Sequence, residues 1–120
     1  VTSSESFTFP ADEPVLTLPE AADRLGLPVT RVMDMVREGK LVAVLIDGAK
    51  RIPERFFSDK NTVNKFVPGV VSLLRDGGYD DPEIIAYLFT EDETLPGRPV
   101  DALHGHLARE VMRRAQAMAF

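Results

Sequence analysis

The side chains of this 120-residue chain whose grouping points to a chemistry are cationic, although acids outnumber bases by 19 to 14. Arg31, Arg37 and Lys40 follow one another closely, and the pair Lys50-Arg51 comes next. Ammonium and guanidinium groups so grouped hold phosphate oxygens, and an arginine fork also matches the edge of guanine. Residues 28–57 carry six basic and four acidic side chains, a net +2. Residues 1–27 stand at −4 and residues 58–120 at −3, which leaves the whole chain at −5. A net negative charge argues against a nucleic-acid partner, because phosphate neutralisation supplies most non-specific affinity. The single positive third restores that reading for one surface only.

Other chemistries find no support in the residues. Gly77-Gly78 follows a helical pattern and lacks the Lys-Ser/Thr of a phosphate loop. His104 and His106, the only histidines, stand at i, i+2 and point apart on a helix, so they do not chelate one metal. The acids at 80–83 and 91–93 lack the glycine and alternating oxygens of a calcium loop. There is no cysteine for a thiolate site or a disulfide. The expectation is a non-enzyme without metal or cofactor. No apolar run approaches the ~18 residues of a membrane span, and the start lacks a signal peptide's pattern. A cytoplasmic protein with no membrane partner is expected.

The elements that would position the cations lie between Leu16 and Phe57. Pro19–Leu25 is a short helical pattern with Ala21, Ala22 and Leu25 inward and Glu20 at the positive helix start. Gly26 ends it and Leu27-Pro28 makes a corner. Val29, Val32, Met33 and Val36 then form an apolar stripe at i, i+3, i+4, i+7, closed by Gly39. This is a helix-turn-helix, whose second helix, Val29–Glu38, enters the major groove. Its outer face carries Thr30, Arg31, Asp34, Met35, Arg37 and Glu38, with Lys40 just beyond. Asp34 either repels phosphate, accepts from a cytosine amine, or pairs with Arg31 or Arg37. Leu41–Ile46 changes period to a strand, Asp47-Gly48 is a type I′ turn signal, and Ala49–Ile52 returns until Pro53 stops the ladder. A hairpin directly after a helix-turn-helix is a wing, with Lys50 and Arg51 at its tip. The order also resembles the excisionase and MerR group of winged helices.

Either side of this unit the pattern is less regular. Val1–Pro14 is rich in hydroxyls and acids, has only Phe7 and Phe9 as large apolar residues before Val15, and reads as a disordered tail. Glu54–Phe57 seats two aromatics through a helical turn. Residues 59–66 are ambiguous, with Asn61 or Thr62 as a cap for a short helix. Pro68 starts a helix closed by Gly77-Gly78, Asp81-Pro82-Glu83 starts another, and Asp101–Ala119 reads as the longest. Arg109, Arg113 and Arg114 cluster outward on that last helix, either with Arg114 paired to Glu110 and the others solvated, or as a secondary phosphate contact or partner surface. The predicted fold is mainly α with a small β-hairpin: a tail over 1–14, a winged helix-turn-helix over 15–58, and a C-terminal helical extension over 59–120 packed on it. A winged helix of ~60 residues is marginal alone, so the extension shares its core or meets a second copy in a homodimer.

The segments LPEAADRLGLPVTRV, VREGKLVAV, LLRDGGYDDPEI, YLFT and RPVDALHGHLAREVMRRAQAMAF carry a narrower resemblance. From about Leu16 to Phe120 the chain resembles an actinobacterial winged-helix DNA-binding family phosphorylated by a membrane Ser/Thr protein kinase. That resemblance implies binding of double-stranded DNA, a C-terminal helical extension, and a kinase-modified threonine in the tail, for which Thr2 and Thr8 both stay open. The implied function is a sequence-specific or architectural regulatory protein whose DNA binding is lowered by tail phosphorylation. The alternative is a protein-interaction module. The Gly97-x-Pro99-x-Asp101-x-Leu103 pattern is weakly similar to the toxin-binding domain of some antitoxins.

Overall fold

Thr17 sets the start of the first helix through a reciprocal cap. Its Oγ1 accepts from the Glu20 amide at 3.1 Å, and Glu20 Oε1 accepts from the Thr17 amide at 2.8 Å. With Pro19 in the first turn, these bonds define helix α1, Leu18–Leu25, in a computed structural model that describes residues 8–119. The expectations for residues 1–7, Thr2 among them, and for Phe120 lie outside the described residues. Helix α2 is Val29–Arg37.

A three-stranded antiparallel sheet flanks these helices, in the order β1-β3-β2. Strand β2, Val44–Ile46, and strand β3, Ala49–Pro53, form the expected hairpin. Asp47 and Gly48 both have positive φ, 52° and 80°, as a type I′ turn demands. Leu41 and Val42 are buried but lie outside the strand. Strand β1, Val15–Thr17, is an addition to the predicted hairpin. Three residues are too few for alternation to show, and β1 exists because Leu16 pairs with Ile52 on the free edge of β3. Pro53 closes β3 opposite Val15, and the Glu54 amide donates to the Pro14 carbonyl at 3.0 Å just beyond it.

After β3 a single 3-10 turn, Glu54–Phe56, buries Phe56 and Phe57. No short helix follows at 61–66, contrary to one reading of that stretch. Asn61 adopts φ 60°, Phe57 bridges Val63, and buried Asn64 organises the loop. Its amide donates to Phe56 O at 2.8 Å, its Oδ1 accepts from the Phe66 amide at 2.8 Å, and its Nδ2 donates to Leu103 O at 3.0 Å.

Helices α3, Val67–Asp76, and α4, Asp81–Phe89, fall where the pattern put them. The cap of α4 is Asp80, one residue before the expected Asp81, again in a reciprocal pair, here with Glu83. The long helix expected over 101–119 is two helices, α5, Pro99–Ala102, and α6, Ala108–Met118. Between them the Leu103 carbonyl accepts from Asn64 Nδ2 at 3.0 Å, which ties the turn to the loop after Phe57. Gly105 in the connecting turn makes the break inexpensive.

The two halves share one core. Ala21, Val32, Leu41 and Ile52 from the winged helix form a single buried cluster with Val70, Leu74, Ile84, Leu88, Val100, Leu103 and Val111 from the extension. The stripes of the C-terminal helices are thus covered within the chain. Helices α3 and α6 lie side by side in the same direction, Gly69 against Met112 and Gly77 against Ala119. A Cβ at Gly77 would stand 2.8 Å from Ala119 Cα, so only glycine permits that approach.

Candidate nucleic-acid interface

The corner between α1 and α2 is built by Gly26, whose φ of 68° turns the chain, and by the Leu27 amide, which donates to Ala22 O at 3.0 Å. Pro28 precedes α2 and no side chain caps that helix, so its positive end is left open. At its other end Gly39, φ 81°, lets the Lys40 amide reach Met35 O at 2.9 Å.

The buried stripe of α2 differs from the expected one. Val32 is fully buried, and Met35 and Val36 pack against the core. Val29 is exposed and Met33 is 48% exposed, so the helix is rotated toward Met35. Apolarity alone could not choose, because Met33 and Met35 are equally good core residues and the packing partner decides. The outward face therefore carries Thr30, Asp34 and Arg37 in line at i, i+4, i+7. Leu27, Val29 and Met33 form an exposed apolar flank that sequence reasoning missed, and exposed Arg31 stands on the other flank.

Ion pairing divides the candidate cations. Arg37 is held by Asp34, which settles the open question about that carboxylate in the free protein. Lys40 Nζ lies 3.5 Å from Glu38. Among the described residues Arg31, Lys50 and Arg51 hold no carboxylate. Lys50 lies opposite exposed Leu45, and Arg51 lies opposite buried Val44. Successive strand residues face opposite ways, so the two cations sit on different faces of the wing, and Asp47-Gly48 is its tip instead. Arg51 is the nearer to α1. Its charge adds to the Thr17 hydrogen bonds that hold the Glu20 carboxyl below the usual range. Its Nη1 also donates to the Lys50 carbonyl at 3.1 Å.

Thr8 is exposed, and the residues after it are anchored, unlike the tail expected to run free through Pro14. Phe9 packs on Phe89 with ring centroids 5.1 Å apart, and Glu13 meets Arg98. Both partners stand far along the sequence, beyond the reach of local pattern. Phe9 also lines a cleft of about 400 Å³ together with Val36, Leu45 and Lys50, so the segment passes beside the wing and the end of α2.

On α6, Arg113 and Arg114 both bind Glu110, and Arg114 reaches Thr94 Oγ1 at 2.6 Å as well. These hydrogen bonds hold the Glu110 carboxyl down at about 2. The expected arginine cluster is therefore divided, with Arg109 apart from the other two. His104 and His106 lie in the α5–α6 turn and not on a helix, and His104 Nε2 donates to the Arg55 carbonyl at 2.6 Å.

Two helices across a glycine corner, a hairpin bearing cations and a helical extension on the same core define a winged helix-turn-helix protein. A family model described as the winged helix-turn-helix domain of DNA-binding protein Rv2175c matches residues 6–57. A second, the Rv2175c C-terminal domain of unknown function, matches residues 64–119. The DNA-binding protein Rv2175c of Mycobacterium tuberculosis (strain ATCC 25618 / H37Rv) is 49% identical over 121 residues, which span 91% of this chain and 83% of that one. The NMR structure of Rv2175c superposes with a TM-score of 0.87 at 46% identity, over 96% of this chain and 87% of that chain. The chain belongs to the Rv2175c family.

Proposed function

We propose that the chain is a DNA-binding regulatory protein that places α2 in the major groove and the wing on a neighbouring phosphate. The observation that carries this reading is the division of charge. On the helix-turn-helix and wing, the cations that hold no carboxylate among the described residues are Arg31, Lys50 and Arg51, three of those the sequence nominated. Family membership and the name of the relative support the same partner. Arg31 contacts a base edge or a phosphate beside it, Thr30 and the open start of α2 approach the backbone, and Lys50 and Arg51 serve separate contacts from the two faces of the wing. Arg37 and Lys40 contribute only after exchanging their carboxylates for phosphate.

Regulation by a Ser/Thr kinase belongs to the same proposal. Thr8 is exposed and next to Phe9, which shares a cleft with Lys50. A phosphate there adds roughly −1.5 to −2 charges beside a DNA-facing cation and lowers affinity. The protein-interaction alternative draws less support, since Ile84, Leu88, Leu103 and Val111 are already buried in the chain's own core.

The test is a salt titration of affinity for one specific and one random duplex. Arg31→Ala is expected to lose about 1–3 kcal/mol on the specific duplex and to relax preference at one base pair. Lys50→Ala and Arg51→Ala each weaken both duplexes alike and shallow the salt slope by about one unit. Thr8→Glu weakens binding, while removal of residues 1–7 does not. Affinity indifferent to Arg31, Lys50 and Arg51 together would move the site elsewhere.

A further inference from the structure

Seven basic side chains follow Ser58, in a part of the chain that is net −3. Arg75, Arg98, Arg113 and Arg114 each hold a carboxylate. The three that hold none among the described residues are Lys60, Lys65 and Arg109, and all three line one open groove of about 760 Å³. One wall is the 58–66 loop and the other is the turn from α5 into α6. His104 and His106 line it too, and Asp59 is its one carboxylate. Three like charges gathered on one concavity raise its potential and repel one another unless an anion shares the space.

The walls are fixed before any ligand arrives. Ser58 Oγ and Thr62 Oγ1 are 2.7 Å apart, and Ser58 Oγ accepts from the Lys60 amide at 3.2 Å, which closes the loop that carries Lys60. Asn64 ties that loop to the opposite wall through Leu103 O, and the His104 ring is tied to Arg55 O.

The groove also has a definite neighbour. Its Ser58, Asp59 and His104 edge borders a smaller cleft lined by Arg24 and Phe57. Arg24 is in the last turn of α1, 3.6 Å from Glu54 and with its guanidinium 5.8 Å from the Phe57 ring centroid. The groove thus opens beside the C-terminal end of α1, the helix that crosses the DNA backbone in a helix-turn-helix.

We propose that the groove between Lys60, Lys65 and Arg109 is a second phosphodiester site, which holds the backbone of the duplex beyond the segment read by α2. It rests on the reading of this chain as DNA-binding. A repeated anion suits it better than a single one, because its cations come from two separate walls of an open channel and do not converge on a point.

The test uses the full chain and the triple variant Lys60→Ala, Lys65→Ala, Arg109→Ala, all exposed positions. Two random duplexes are compared, one of about one helical turn and one of about three. The triple variant is expected to bind the long duplex at least tenfold more weakly, with a salt slope lower by about 2–3, since each phosphate contact contributes about 0.9. Its affinity for the short duplex stays within twofold. In the wild type, amide signals of residues 58–66 and 103–109 shift with the long duplex and not with the short one. Unchanged affinity and slope for the triple variant, with Arg31→Ala still weakened, overturns the groove and leaves the recognition helix in place. Wild-type protein that binds neither duplex at low salt overturns both. A phosphoserine peptide that shifts the groove amides under conditions where no duplex does so overturns the assignment to nucleic acid.

Discussion

Arg98 Nη1 donates to Glu13 Oε1 at 2.6 Å, an ion pair across 85 positions of the chain. The same guanidinium holds Asp101 through Nε at 2.8 Å and lies with its centre 5.2 Å from the Phe89 ring centroid. Phe89 in turn receives Phe9 on one side and Phe56 on another. The segment before β1 is therefore latched to the C-terminal extension, next to the core that the two halves share.

Removing Arg98 breaks the latch. Its side chain is 20% exposed and that of Glu13 9%, so Arg98→Ala leaves the Glu13 carboxylate with little water to compensate it, while Asp101, 35% exposed, keeps Arg55. A loss of about 1–3 kcal/mol is expected from a urea melt, below the full range for buried pairs because one side stays wet. Phe9→Ala lowers the midpoint as well. A melt unchanged in both variants would show that the latch contributes nothing to stability.

Asp34→Asn frees Arg37 on the outward face of α2. If the pair holds Arg37 away from DNA, the variant binds specific and random duplexes more tightly and discriminates less between them. If Asp34 reads a cytosine amine in the complex, only the preferred site weakens. A direct comparison of the two duplexes separates these outcomes, and affinity unchanged from the wild type for both would remove Asp34 from the interface.

Leu103 and Leu107 flank the break between α5 and α6 and differ in burial. Leu103 is 2% exposed and Leu107 only partly buried. Leu103→Ala is expected to cost about 2–5 kcal/mol and Leu107→Ala distinctly less, by denaturant midpoint at constant slope. A single helix through both positions would make the two costs alike.

Acid stability follows the carboxylates held down by arginine. Glu110 lies at about 2 because of Arg113 and then Arg114, and Asp101 is lowered chiefly by its hydrogen bonds from Arg98. A depressed folded value means that the contribution is present above the ordinary value of 4.5 for glutamate and is lost as pH falls toward 2. Glu110→Gln should flatten the dependence of the urea midpoint on pH in that window and leave neutral pH less affected by salt. An identical pH profile would show that the exposed pair is screened by water.

Local signals were strong wherever one residue type has one job. Gly26 and Gly39 at positive φ, Asp47-Gly48 at the hairpin turn and Pro19 in a first turn each follow from backbone sterics, so the helix-turn-helix and the wing could be read from the chain alone. The cations of the helix-turn-helix and wing were legible for the same reason, since charge composition is a local property.

What only the tertiary structure decided rests on partners distant in sequence. Strand β1 needs the edge of β3, the turn after Ala102 is tied down by Asn64, and the anchoring of Phe9 and Glu13 needs Phe89 and Arg98. The rotation of α2 that turns Met35 toward the core and exposes Met33 is set by the surface it packs on, because two methionines two residues apart are indistinguishable to a hydrophobic pattern. Which cations remain free is likewise a matter of geometry. A carboxylate three or four residues away neutralises Arg37, Arg113 and Arg114, while Lys60, Lys65 and Arg109 share one groove only because the loop after Phe57 folds against the turn before α6.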